Sequence, residues 1–338
     1  MKSHIFTILL ILVCFVCQGQ NQIDRQGRKQ GHWIKTDKDG SKIFEGNFKD
    51  GLEVGLFRYF YPDGKIRIEN NFSQDGKYCS HKAYDKNGQL LATGFFNQKN
   101  RDSVWNIYTE SGKLIKTTHY KMGVKQGIQI IYNSNGDTAE VSGWSNNRHH
   151  GYWWKRIGAK GYITGIYVNG LLEGQLKEFN DEGQLIREGS YKNGEKDGSY
   201  KYFDNKILVI DESWSRGFLQ DRKILIKQPE AAYISVYQIA CLIPKGKNQV
   251  VIYTKRGERI DTFEPADELF NRIGNEIFTQ ANKKSRMMVA TDCIVGLKKD
   301  AEGRDILDVE PAIDYDIFPD EDCIKMLESL QREGIDEK

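Results

Sequence analysis

The stretch YKNGEKDGSYKYF, Tyr191 to Phe203, sets two glycines four residues apart among lysines. Those residue types can cradle a phosphate, provided a strand precedes the loop, a helix start follows it, and the loop occurs once. This one recurs. FKDGLEVGLFRYF, Phe48 to Phe60, has its aromatics and glycines at the same offsets. A nucleotide loop is therefore rejected. The remaining chemical candidates are sparse. His32, His81, His119, His149 and His150 show neither HExxH nor paired-cysteine spacing. His149-His150 reads as a solvated turn. There is no GxSxG and no cysteine with a neighbouring base. FPDEDC, Phe318 to Cys323, is acidic but lacks EF-hand spacing, and its acids suit a helix start. These residues point to no catalytic centre, no metal and no cofactor.

The elements carrying these residues repeat. One aromatic position reads Phe48, Phe72, Phe96, Tyr120, Trp144, Tyr167, Tyr191 and Trp214, in steps of 24 or 23. A second position reads Gly31, Gly55, Cys79, Ser103, Gly127, Gly151, Gly174 and Gly198. A third reads Gly40, Gly64, Gly88, Gly112, Gly136, Gly161 and Gly183. A fixed period of this size marks a repeat array. Each copy parses as two short strands and two turns. Asp-Gly and Asn-Gly pairs between alternating segments signal tight hairpins, because such turns need positive φ. Asp39-Gly40, Asn87-Gly88 and Asn135-Gly136 repeat one turn; Asp50-Gly51, Asn169-Gly170 and Asn193-Gly194 repeat the other. Gly31 to Gly217 is expected to be a meander of about sixteen strands, roughly 75 Å long at the usual strand spacing. Recurring aromatics would stack along its faces, each hairpin being marginal alone. All six tryptophans fall in this region.

Tyr191, Gly194, Gly198, Tyr200 and Phe203, with Glu188 and Gly189 upstream, resemble the MORN repeat in its bacterial variant form. Eight copies cover Gly31 to Gly217. The resemblance implies a mainly β fold, an elongated array of antiparallel β-hairpins, and an interaction scaffold for proteins, some relatives binding membrane lipid. It implies no activity. The frame decays at Asp204 to Lys206, and FLQDRKILIK, Phe218 to Lys227, is expected to be a closing strand pair.

The N-terminus, MKSHIFTILLILVCFVCQGQ, reads as a signal peptide over residues 1–19. Lys2 precedes an apolar run of 12, Ile5 to Val16, that is short for a membrane span. Lipidation at Cys14 or Cys17 would want a small residue before the cysteine, and valines stand there. An exported chain would keep Cys79, Cys241, Cys293 and Cys323, too few for a disulfide scaffold. A Cys293–Cys323 bridge or free thiols both fit. Charge is uneven. Residues 229–338 hold 15 basic and 22 acidic residues, net −7, and the remainder holds 34 and 25, net +9. That is too mild to imply nucleic-acid binding. With 28% charged residues and a mean hydropathy of −0.61, the rest of the chain reads as soluble.

The array is assigned to 20–228 and an α+β domain to 229–338. There YISVYQIACLI and NQVVIYTKRGERIDTF read as strands joined at Pro244 to Lys247. A helix is expected from Pro265 to about Asn282, on a stripe of Leu269, Ile273, Ile277 and Phe278. Residues 286–311 read as a hairpin turning near Asp300 to Gly303, and Asp320 to Glu333 as a last helix. Asp300, Gly303, Asp320 and Glu321 resemble the strand–turn–strand–helix pattern of the TonB C-terminal domain. The Tyr-Pro step, anchor and proline-rich spacer of that family are missing, so the resemblance implies fold rather than energy transduction.

The sequence reading is an exported, non-catalytic scaffold for a protein partner or an envelope surface. The alternative is an enzyme or lipid-processing factor with its site in the C-terminal domain. For partner contact, NNRHHGYWWKR, Asn146 to Arg156, stands out. Gly151 and Trp153 are frame positions; Tyr152 and Trp154 are additional aromatics. Alternation along a strand puts both opposite Trp153. With Arg148 and Arg156 they are the residue types that most often carry interface energy. The reading put first is the plainer one, that aromatics line both faces of the array as packing, as FRYFY at Phe57 to Tyr61 hints.

Overall fold

In a computed structural model of the protein, the structure describes residues 20–226, 231–274, 277–313 and 316–336. The expected signal peptide, residues 1–19, and the 228/229 boundary fall outside those residues. The chain divides into two compact units, Met1–Leu171 and Leu172–Lys338. Among the described residues the meander counts nineteen antiparallel strands, of which sixteen lie between Lys29 and Ser215.

Two turn chemistries alternate. Asp50-Gly51, Asn169-Gly170 and Asn193-Gly194 have both residues left-handed, at φ 52–54° and 82–93°, as a two-residue type I′ hairpin requires. The other turn is different. At Gly40, Gly88 and Gly136 only the glycine is left-handed. An Asp or Asn three residues earlier closes the loop; Asp37 Oδ1 accepts the N–H groups of Asp39 and Ser41 at 3.0 and 2.8 Å. Asp39-Gly40 is thus the end of an Asx-type loop rather than a tight pair. Gly161 is no turn glycine either. It is buried, and Gly158, at φ 65°, bends that loop. The decay at Asp204 to Lys206 is a change of turn type: Asn205 and Lys206 are both left-handed, at 46° and 69°, which removes a residue from the copy.

The second repeating glycine makes a bulge. Gly31, Gly55, Gly127, Gly151, Gly174 and Gly198 have φ between 65° and 98°. Pairing with the preceding strand slips there, as between Glu45 and Asn47. The slip aims a ring at a glycine across the strand. Phe57 lies so flat on Gly46 that a Cβ there would sit 2.0 Å from the ring; Trp105 covers Gly94 and Tyr200 covers Gly189 likewise. In the first unit, these rings interdigitate edge-on with the repeating aromatic column: Phe48–Phe57 at 5.2 Å, Phe57–Phe72 at 6.0 Å and Phe96–Trp105 at 4.9 Å between centroids. Such pairs are worth about 0.5–1.5 kcal/mol each beyond area burial. Phe57 and Trp105 are buried. This ring face is the core of the array.

Phe218–Ile226 is one strand, not a pair. It bonds to the strand before it and to Ala232–Ser235 after it. Its Ile224 and Ile226 belong to the core of the second unit, with Ile239 to Ile243, Val250 to Ile252, Leu269 and Ile273. Arg222 fastens this junction, giving Nε–H to Glu212 Oε1 and Nη1–H to Ile273 O, each 2.8 Å. Beyond it lies an antiparallel sheet in the order Arg259–Thr262, Val250–Thr254, Ile239–Pro244, Met287–Ala290, Phe278–Asn282. The helix after Pro265 is Ala266–Ile273 and stops at Gly274, φ 79°. Ile277 and Phe278 are not on it, because Phe278 opens a strand. Met287–Ala290 belongs to the five-stranded sheet; the hairpin is Ile294–Lys299 with Asp305–Val309, turning at Asp300 to Gly303 as expected. The last helix is Glu321–Asp336. The fold is mainly β with a small α+β region.

Candidate partner-binding surface

The acidic and histidine candidates resolve into structural roles. Asp320 accepts the N–H groups of Lys283 and Cys323 at 2.9 and 3.0 Å, and those bonds hold its carboxyl below the usual range. It caps the helix. His81 occupies the ring column, 5.3 Å from Trp105, and bonds Asn70 Oδ1 at 2.8 Å. His149 is not in a turn. It is half-buried in a strand between Trp144, 3.9 Å away, and Tyr167, 5.2 Å away. Burial lowers the pKa of both imidazoles. His150 is exposed and accepts Asn169 N–H at 3.4 Å. Among the described residues no three His, Cys, Asp or Glu gather as metal ligands. Cys293 and Cys323 are both free and buried, as are Cys79 and Cys241. No described helix is long and apolar enough to cross a membrane.

Arg148, Tyr152, Trp154 and Arg156 all lie on the strand Arg148–Arg156. The turn before it is Asn146-Asn147, both left-handed, and Gly151 at φ 87° is its bulge. Trp153 meets Tyr167 edge-on at 5.8 Å and donates Nε1–H to Glu140 Oε1 at 3.3 Å. Tyr152 pairs across the strands with Ile166; they are 55% and 50% exposed. Trp154 is half-buried and stacks on Tyr162 at 5.9 Å. The Arg156 guanidinium is 5.7 Å from the Trp154 ring centroid, and its Nε–H and one Nη1–H go to Thr138 O and Ala159 O, each 3.1 Å. Arg156 therefore positions the indole. Arg148 is exposed.

The strand register shows what sets this place apart. One row on the face away from the rings can be followed partner by partner through the first unit. It runs Glu45, Arg58, Glu69, Lys82, Thr93, Asn106, Thr117, Ile130, Val141, Trp154 and Thr164. It begins as alternating charge. Arg58 reaches Glu69 at 3.3 Å and Glu45 at 3.5 Å. It then turns neutral: Thr117 donates to Asn106 at 2.9 Å, and Asn106 to Thr93 at 3.4 Å. At Ile130, Val141 and Trp154 it is apolar. Beside that stretch lie Ile128, 52% exposed, Tyr152 and Ile166. In the second unit the same position is charged again: Lys177, Glu188, Lys201, Asp211 and Lys223 are successive partners. Sequence reasoning found Tyr152 and Trp154 but missed Ile128, Ile130, Val141 and Ile166. Each is ordinary alone and becomes a patch only through the register.

The comparisons agree with this periodicity. None of the curated proteins matches the chain. Residues 53–74 and 172–193 match the family described as MORN repeat variant, two segments in the same phase of the repeat, one in each unit.

Proposed function

We propose that this protein is an exported, non-catalytic repeat scaffold that docks a protein partner on the outer face of its array, over Ile128, Ile130, Val141, Tyr152, Trp154 and Ile166, with Arg148 at the edge. The observation that carries this reading is the break in the cross-strand row. Where charge alternates, the row suits water. Where it turns apolar, half-buried Ile130, Val141 and Trp154 adjoin exposed Ile128, Tyr152 and Ile166, and such apolar patches mark interaction sites. Tyr152 and Trp154 would anchor the contact. Eight copies of the bacterial form of the repeat would build the array over residues 20–228, ahead of an α+β domain at 229–338. That domain keeps the hairpin-then-helix order of a TonB C-terminal domain, which supports a likeness of fold alone. Export rests on residues 1–19. An envelope surface is the other target such a repeat could serve, and nucleic acid is not.

The competing reading places an enzymatic or lipid-processing site in residues 229–338. One opening there, about 410 Å³, is framed by Phe270, Met288 and the ion pair of Asp267 with Arg286. No nucleophile beside a base is among its described lining residues, and in the opening lined by Lys255, Asp292 and Cys293 the thiol is buried and its pKa is pushed up by that burial, away from the reactive thiolate. The test is affinity capture from envelope extracts, with the mature chain and its Trp154→Ala variant as parallel baits. A protein retained by the first and lost from the second, at equal thermal stability, supports the proposal. Equal retention by both, or a collapse of the variant's melting point, removes it.

A further inference from the structure

On the ring face of the first unit, each repeat sets one residue eighteen or nineteen positions before a ring of the repeating column: Lys29 and Phe48, Glu53 and Phe72, Lys77 and Phe96, Arg101 and Tyr120, Lys125 and Trp144, His149 and Tyr167. Three of these residues lay a cation on the ring. Lys29 Nζ is 4.7 Å from the Phe48 centroid, Arg101 Cζ is 5.7 Å from Tyr120, and Lys125 Nζ is 4.0 Å from Trp144. The negative face of an aromatic ring attracts a cation at such distances. His149 sets its own ring 5.2 Å from Tyr167, tilted 40° to it.

At two consecutive places the pattern fails. Glu53 carries the opposite charge, and its carboxylate accepts the Tyr59 O–H at 3.1 Å. Lys77 turns away to Asp75, 3.6 Å off, and its side chain is 59% exposed. Among the described residues, no cation covers Phe72 or Phe96. Where these two places adjoin, a cleft of about 500 Å³ opens, lined by Phe72, Phe96, Tyr59 and Glu53.

We infer that this cleft takes a lysine or arginine side chain of a partner polypeptide, laid over Phe72 and Phe96 with its charge toward Glu53. The array supplies its own templates for the contact in Lys29 and Arg101. An anion would face both the Glu53 carboxylate and the negative ring faces. Lys77 and Lys99 also line the cleft. Lys77 is met by Asp75 and Lys99 is exposed, where solvent screens its charge, so the Glu53 carboxylate beside the two rings leaves room for one basic side chain and not for a run of them. This site lies on the opposite face from Tyr152 and does not rest on the function proposed above.

The test uses the full chain with ¹³C-labelled phenylalanine, titrated by NMR with Nα-acetyl-lysine methylamide and Nα-acetyl-arginine methylamide. The uncharged norleucine analogue and the glutamate analogue serve as comparison probes. The expected result is saturable shifts at Phe72 and Phe96 with both cationic compounds, and binding of the norleucine analogue weaker by about fivefold. Glu53→Gln keeps an acceptor for Tyr59 and should weaken the cationic compounds severalfold. Glu53→Lys restores an internal cation, which should abolish the shifts and raise the melting temperature. No saturable shift with either cationic compound would overturn the inference. So would norleucine or glutamate compounds binding as tightly, or Glu53→Lys still binding the cationic pair.

Discussion

Arg58 and Trp154 hold the same register position on the same face of the meander, four repeats apart. Around Arg58 the row is a ladder of opposite charges; around Trp154 it is Ile130, Val141 and an indole stacked on Tyr162. The turns, bulges and ring columns serve both stretches alike, so the backbone does not need either chemistry. Exposed ion pairs contribute only about 0–1 kcal/mol. The outer row is therefore free to vary without loss of fold, and the stretch that exposes apolar side chains is the one proposed above to dock a partner.

The comparison breaks first if the ring face is not the core. Phe57→Ala removes a fully buried ring from over Gly46 and should cost about 3–5 kcal/mol in denaturant unfolding; a loss below about 1 kcal/mol would mean the outer face does the packing. Gly194→Val forces a β-branched residue to φ 84° and should cost more than about 1 kcal/mol, read as a lowered melting temperature. An unchanged melting curve would remove the type I′ turn from the account. Arg58→Ala should cost less than about 1 kcal/mol and lose even that effect in 1 M salt. A larger, salt-independent loss would make the charged stretch structural. The smallest effect is in pH. His81 and His149 are held below their ordinary value of 6.5 by burial, so the unfolded chain binds protons that the folded chain does not. Their contribution is present above about pH 6.5 and is lost as pH falls below it. Melting temperature should drop modestly from pH 7.5 to 5, and a His81→Phe, His149→Leu double variant should flatten that drop.

Much of this fold was legible because a 24-residue period repeats every local signal. Asn193-Gly194 announced its turn, whereas Gly151 was legible only as a frame position and its bulge shows only in the backbone. Gly161 misled because counting cannot see a loop distorted at Gly158. The helix from Pro265 was drawn too long because Ile277 and Phe278 sit at helical spacing, while Gly274 ends the helix by its backbone conformation. Tyr152 and Trp154 stood out as surplus aromatics. Ile130 and Val141 did not, because each bulge shifts which residues oppose one another and only the paired strands show the row. The cations facing the rings had a signal in the constant offset from Lys29 to Phe48 and from Arg101 to Tyr120, but its meaning depends on side chains meeting across strands.

The most direct measurement rewrites the apolar stretch in the chemistry of the charged one. A triple variant Ile130→Lys, Val141→Glu, Trp154→Lys extends the alternating ladder through the patch. Its melting temperature and its retention of the captured protein are measured beside those of the parent chain. The account predicts a melting temperature within a few degrees of the parent, by the small worth of exposed pairs, and loss of retention. Unfolding of the variant, or retention equal to the parent's, would contradict it.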